Sequence, residues 1–193
     1  NTIMDKKMFC FQCEQTVGCT GCTGNAGVCG KKADTAKLQD KLTGTLISLA
    51  KAVDTTEAIS KRTGQIIIEG LFTTVTNVNF DNAAIENMIQ KVRAEKERLV
   101  PDCGNCQSPC GKTDEYDMQQ LWNADEDIRS LKSLILFGIR GMAAYAYHAS
   151  VLNYEDDVTR AFGENVKSNV LYFSSQRKLE EGIYLENGQI VLA

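Results

Sequence analysis

Residues 66–80 read IIIEGLFTTVTNVNF, and how they are read decides the fold. By composition the stretch is a strand, because β-branched Ile, Val and Thr dominate it. By spacing it is a helix: Ile68, Leu71, Val75 and Val78 recur at helical intervals. Such intervals gather side chains on one side of a helix but divide them between the two faces of a strand. The periodicity is the stronger signal, so the segment is read as a helix and the fold class as all-α.

The flanking sequence agrees. Upstream, Leu38, Leu42, Leu46, Leu49 and Val53 fall at spacings of 4, 4, 3 and 4, behind an N-cap expected at Asp34. Downstream, Asp81 or Asn82 caps a third helix with Ile85, Met88, Ile89, Val92 and Leu99 along its apolar side. The charges from Lys91 to Arg98 make its other face a solvated surface. Both prolines of the chain, Pro101 and Pro109, then interrupt the helical pattern. A short helix is expected over Asp114 to Trp122, and Asn123 and Glu126 have the spacing of a capping box for a long one. Ile128, Leu131, Ile135, Ile139, Met142 and Ala146 line one face of it. Apolar residues on its other faces predict a central, buried helix. The last segment differs. Ile183 to Leu192 reads IYLENGQIVL, two apolar runs around Asn187-Gly188, which predicts a β-hairpin. A lone hairpin is marginal in water, so its strands need a helical face or a second copy of the chain to cover them.

The expected organisation is a 1–7 extension, a cysteine-rich loop over 8–32 and a first helical bundle over 33–100. A Cys/Pro loop over 101–112, a second bundle over 113–163 and a divergent tail with the hairpin over 164–193 follow. A chain of 193 residues, 43% hydrophobic and 24% charged, can bury a core of its own. Its net charge of −4 argues against a nucleic-acid partner, which would need a basic patch. The longest apolar run, Leu134 to Ile139, is too short to span a bilayer. With no recognisable leader in the opening residues, the expectation is a cytoplasmic protein.

Eight cysteines qualify that plain picture: five lie within residues 10–29 and three within 103–110. Disulfide scaffolds use cysteine in place of a core, whereas this chain has helical core to spare. Clustered thiols in a reducing compartment bind metal or do redox chemistry. Cys10-x-x-Cys13 lets two thiolates of one turn grip one metal, and later cysteines close the site. Four thiolates suit an iron–sulfur cluster or a tetrahedral zinc ion. Zinc sites pair two knuckles across a longer structured stretch, but here every donor falls within 20 residues of glycine-rich loop. Gly18, Gly21, Gly24, Gly27 and Gly30 free backbone N–H groups to bond cluster sulfides and tune the potential. Iron–sulfur is therefore preferred to zinc, and zinc to a disulfide. No βαβ pattern supports a thioredoxin-like reading of the first pair. One cysteine of the five is spare, and spacing leaves the choice between Cys19 and Cys22 open.

MFCFQCEQT at Met8 to Thr16 and GCTGNAGVCGK at Gly21 to Lys31 closely resemble the start of the hybrid cluster proteins, also called prismane proteins or hydroxylamine reductases. ADTAKLQD (Ala33 to Asp40), EGLFTTVTNVNFD (Glu69 to Asp81), NADEDIRSLK (Asn123 to Lys132) and GIRGMAAYAYHA (Gly138 to Ala149) continue the resemblance in the family's order. It covers roughly residues 8–155, and past Asn153 the sequence drifts from it. The resemblance implies that Cys10, Cys13, Cys22 and Cys29 ligate the proximal cluster, with Cys19 the spare. It implies a [4Fe-4S] cluster. The alternative is [2Fe-2S], because the Cys22 to Cys29 interval is one residue longer than in the commonest form and relatives of altered spacing carry two irons.

The family reduces hydroxylamine and nitric oxide at a hybrid iron–sulfur–oxygen cluster, held by His, Glu and Cys from domains beyond this region. No such ligand set is found here, so a hybrid cluster is not expected in this chain and the chain alone is expected to be inactive. On this reading it is the module at which electrons enter, reduced by a redox partner protein and serving either the missing catalytic domains or another copy of the chain. Two other classes remain open: a stand-alone electron-transfer protein, and a zinc-bound structural or interaction module. Cys103, Cys106 and Cys110 lack a fourth ligand nearby, although Asp102 or Asp114 could add an oxygen. Free thiols or an adventitious disulfide are preferred there to a second zinc or cluster site completed by another chain. His148, Trp122, Tyr145 and Tyr147 are read as packing or surface residues before cofactor contacts.

Overall fold

The computed structural model describes residues 8–13, 20–53, 59–75, 79–100 and 115–153, together with two strands near the C-terminus. Among the described residues five helices carry the fold: α1 Ala33–Ala52, α2 Lys61–Thr73, α3 Asn82–Leu99, α4 Met118–Trp122 and α5 Glu126–Val151. The strands β1 Ile183–Glu186 and β2 Gln189–Leu192 pair antiparallel, with Ile183 opposite Leu192. Their connecting residues 187 and 188 and the chain from 154 to 182 lie outside the described residues.

The contested segment is helical, over a different span. Helix α2 begins at Lys61, where the Ser60 hydroxyl accepts from Thr63 N–H, and stops at Thr73 instead of running to residue 80. Thr74 turns its hydroxyl back onto the Leu71 carbonyl at 2.7 Å, a local bond that competes with the next helical turn. Val75 therefore follows the helix, and Val78 lies outside the described residues. Ile66, Ile67, Ile68 and Leu71 are all buried, so tertiary burial overrides their strand propensity.

Other helix ends also depart from expectation. Helix α1 starts at Ala33, with Lys32 at the N-cap and no side-chain cap bond. Asp34 is instead in the first turn, its Oδ1 accepting from Thr35 N–H at 2.9 Å and its Oδ2 from Asn82 Nδ2 at 3.0 Å. Asp81 caps α3 by accepting from Ala83 N–H and Ala84 N–H, which leaves Asn82 free to tie α3 to α1. The expected capping box at Asn123 and Glu126 does not form. Asn123 closes α4, and α5 begins behind Asp125, two residues later.

One apolar core runs through all five helices, from Leu42, Leu46 and Leu49 of α1 to Leu136, Ile139 and Ala143 of α5. Helix α1 packs chiefly on α3, α2 lies between α3 and α5, and α4 bridges α1 to α5. Glycine permits two close approaches: Gly44 of α1 against the Tyr116 carbonyl ahead of α4, and Gly70 of α2 against Leu46. Helix α5 is not the buried centre that its apolar content predicts. Leu136, Ile139, Arg140, Ala143 and Ala146 are buried, whereas Leu134, Met142 and Tyr145 are exposed. Its packed face meets α2 and α4 and, through Arg140, Thr43 of α1, while Leu134, Met142 and Tyr145 stay exposed among the described residues.

A buried carboxylate locks α2 to α3. Glu95 accepts from Thr63 Oγ1 at 2.8 Å, Arg62 Nε at 2.9 Å and Arg98 Nη2 at 2.7 Å. These donors, Arg98 first, hold its carboxyl down from 4.5 to about 2, against the opposing effect of desolvation. A depressed carboxyl pKa adds stability above the unfolded value, and that stability is lost as pH falls through the folded value. Glu95→Gln is therefore expected to cost about 2 kcal/mol at neutral pH. Chemical denaturation should show the gap between variant and parent closing as the pH falls from 4.5 toward about 2. A gap that stays constant over that range would rule out the carboxylate as its source.

Candidate metal centre

The described residues of the loop ahead of α1 are tied together by their own backbone. Cys10 N–H donates to the Cys22 carbonyl at 3.1 Å, and Cys22 N–H donates to the Cys10 carbonyl at 2.7 Å. The two residues form an isolated antiparallel bridge. Directly opposed residues of such a pair carry their side chains on the same face. The bridge thus brings two thiols together that are twelve positions apart in the sequence. Gly21 enters it at φ +89, where an added Cβ would lie 3.1 Å from the Phe9 ring and 3.3 Å from the Cys10 carbonyl. Only glycine adopts that backbone here without strain.

Cys29 is held by a second turn. Gly30 N–H donates to the Gly27 carbonyl, and Gly27 N–H to the Lys31 carbonyl, both at 2.8 Å. A Cβ on Gly27 would sit 3.5 Å from the Cys29 sulfur, so bare backbone faces that thiol. Cys10 and Cys22 are buried with Met8 and Ala36, while Cys13 and Cys29 are half-buried. All four are free thiols. Burial pushes the Cys10 thiol up, with the Gln12 N–H and Lys31 pulling against it. Among the described residues no three His, Cys, Asp or Glu side chains converge as a closed metal site. The four thiols therefore share one loop and are partly drawn together. Their number and softness, the bridge, and the open backbone at Gly27 fit a thiolate-held cluster.

Charge surrounds this loop from beneath. Gln12, between Cys10 and Cys13, accepts from Lys31 Nζ at 2.7 Å and donates to Asp40 Oδ1 at 2.6 Å and the Ala36 carbonyl at 3.1 Å. Desolvation pushes the Asp40 carboxyl up to about 6, against the Gln12 bond. Arg140 of α5 donates to the Gln12 carbonyl at 3.4 Å, to Thr43 Oγ1 at 3.0 Å and to Thr74 Oγ1 at 3.1 Å. Burial lowers the Arg140 guanidinium to about 10. An aromatic group fixes the loop's other side: Phe9 and Phe11 meet Trp122 at centroid distances of 5.0 and 4.9 Å.

Lys31, Arg140, Gln12 and Asp40 are site residues that the sequence alone does not single out. Arg140 does leave a signal, since it falls on the apolar stripe of α5 between Leu136 and Ala143, where a charge is out of place. Cys19, Cys103, Cys106 and Cys110 lie outside the described residues. His148 is exposed on α5 and meets the Phe72 and Tyr147 rings edge-on. Tyr147 stacks on Phe72 at 4.5 Å and Trp122 packs on the core, but Tyr145 is 82% exposed and serves neither core nor site. No helix among the described residues is long and apolar enough to cross a membrane.

A family model described as Prismane/CO dehydrogenase family matches residues 8–179. The match runs past Asn153, where the resemblance read from the sequence ends. The chain is 40% identical over 192 aligned positions to a hydroxylamine reductase of Caldanaerobacter subterraneus subsp. tengcongensis, covering 86% of this chain and 34% of that protein. It is 35% identical over 209 positions to a hydroxylamine reductase of Methanococcus vannielii, covering 96% of this chain and 37% of that protein. A hydroxylamine reductase of Thermodesulfovibrio yellowstonii is 40% identical over 178 positions, covering 80% and 32% respectively. The chain spans about a third of the length of these relatives.

Proposed function

Because this chain belongs to the Prismane/CO dehydrogenase family, we propose that it is the iron–sulfur region through which electrons enter a hydroxylamine reductase-like oxidoreductase. The observation that carries the proposal is the thiol loop. Cys10 and Cys22 are clipped by backbone, Cys29 faces an open glycine, and all four candidate thiols are free. Cys10, Cys13, Cys22 and Cys29 would hold the cluster, with [4Fe-4S] preferred to [2Fe-2S]. A group so held supplies storage for one electron at a time.

The chain's own residues do the remainder. Met8, Ala36 and the aromatic group of Phe9, Phe11 and Trp122 keep water from the buried side of the loop. Gln12 fixes the turn between the first two thiols through its three hydrogen bonds. Cys13 and Cys29 are the less buried pair, on the side from which a redox partner would deliver electrons. Brown colour, visible absorption and matched iron and acid-labile sulfide after anaerobic purification test the reading. Zinc in place of iron would overturn it.

Reducing hydroxylamine requires a second metal centre at which substrate binds, and this chain holds one histidine and, beyond the candidate four, four further cysteines. The 193-residue chain is therefore expected to take electrons from a reduced viologen dye without producing ammonia from hydroxylamine. Sustained ammonia formation above a free-iron control would contradict this.

A further inference from the structure

Lys31 and Arg140 pose an electrostatic problem that the described residues do not solve. Lys31 is 2% exposed and Arg140 is 4% exposed. Lys31 bonds the neutral Gln12 amide, and Arg140 bonds two hydroxyls and a carbonyl. Among the described residues neither cation has an ion-pair partner within 4.0 Å. Asp40 is the one anion of the network among those residues, and it reaches them only through Gln12 or through space. Two buried cations against one carboxylate leave a surplus of positive charge, which is costly unless something anionic joins it. Both cations lie within electrostatic reach of Cys10. A cluster on four thiolates is anionic, and reduction adds one further negative charge without making or breaking a bond.

Resting on the function proposed above, we infer that Lys31 and Arg140 are built-in counter-charges for the cluster, raising its reduction potential, while Asp40 lowers it. The cations favour the more negative, reduced state, and the carboxylate opposes it. Their burial makes the effect strong, because little solvent screens a charge inside the protein. The two cations act from different elements. Lys31 belongs to the loop itself, whereas Arg140 belongs to α5, which must be docked for its charge to be present.

The test is a mediated electrochemical titration of the anaerobically loaded chain at pH 8, where Asp40 is ionised. The electrode supplies the single electron. Lys31→Met and Arg140→Met are each expected to shift the one-electron equilibrium about tenfold toward the oxidised form, a potential lower by about 59 mV. Lys31→Arg should stay near the parent, and Asp40→Asn, which keeps an acceptor for Gln12, should move the potential upward. A purely structural role would not reverse sign between Lys31→Met and Asp40→Asn. Fully loaded variants with unmoved potentials overturn the inference and leave the proposed function standing. A parent chain that binds no iron overturns both. Should the two methionine variants lose iron, Asp40→Asn decides: an unchanged or lowered potential refutes the inference.

Discussion

Serine at position 10, 13, 22 or 29 is expected to abolish iron and sulfide loading, while serine at position 19 leaves it intact. A thiolate cluster needs all four sulfur donors, and a hydroxyl stays protonated where a thiol gives up its proton to metal. The structure separates this chemical loss from misfolding. The bridge between Cys10 and Cys22 is made by backbone N–H and carbonyl groups, so serine at either position keeps both bonds. The metal-free Cys22→Ser protein should accordingly melt within a few degrees of the metal-free parent. Iron and acid-labile sulfide after anaerobic purification give the result. Normal loading of Cys22→Ser combined with loss in Cys19→Ser would reverse the assignment.

The second large effect is structural. Gly44→Ala would place a Cβ 2.1 Å from the Tyr116 carbonyl oxygen, with the Tyr116 carbonyl carbon at 3.2 Å. Both obstacles are backbone, so no side chain can swing aside, and α1 must separate from the segment leading into α4. Overpacking of this kind exceeds the roughly 1 kcal/mol that alanine gains over glycine in a helix. A net loss of about 3 kcal/mol is expected, lowering the melting temperature by roughly 10 °C. Gly141→Ala is the matched control. It also lies inside a helix, but an added Cβ there meets nothing within 4 Å, so the propensity gain should appear as a small rise. If both variants melt alike, the close approach of α1 to Tyr116 is wrong.

Much of this architecture is legible from periodicity. The spacing of Ile68 and Leu71 overrides the β-branched composition of α2, and Leu42, Leu46 and Leu49 of α1 are buried as their intervals predict, with Leu38 partly buried. Helix ends are less legible, since several residues could serve each cap. Asp34 and Asn123 both have capping chemistry, yet one accepts a bond inside the first turn and the other closes the preceding helix. The reach of the core is overstated at α5 because apolar content does not say which faces have a neighbour. The cysteine loop stands out by residue type, and its resemblance to a known family supplies the choice that spacing leaves open. The charges beneath it do not stand out. Lysine and arginine are exposed by default, and burial of Lys31 and Arg140 depends on contacts spanning 19 and 128 residues of sequence.

The Cys10–Cys22 bridge also bears on how a centre in this loop would be assembled. Fixing a residue's backbone costs about 1–2 kcal/mol in conformational entropy. At positions 10 and 22 that ordering is already done in the folded polypeptide by two hydrogen bonds of its own. An incoming iron–sulfur unit would therefore meet a chelate half set at Cys10 and Cys22, with Cys13 and the separate turn that carries Cys29 left to close on it. On the proposed ligand set, the buried pair would then be the docking cleat and the outer thiols the latch that closes afterwards.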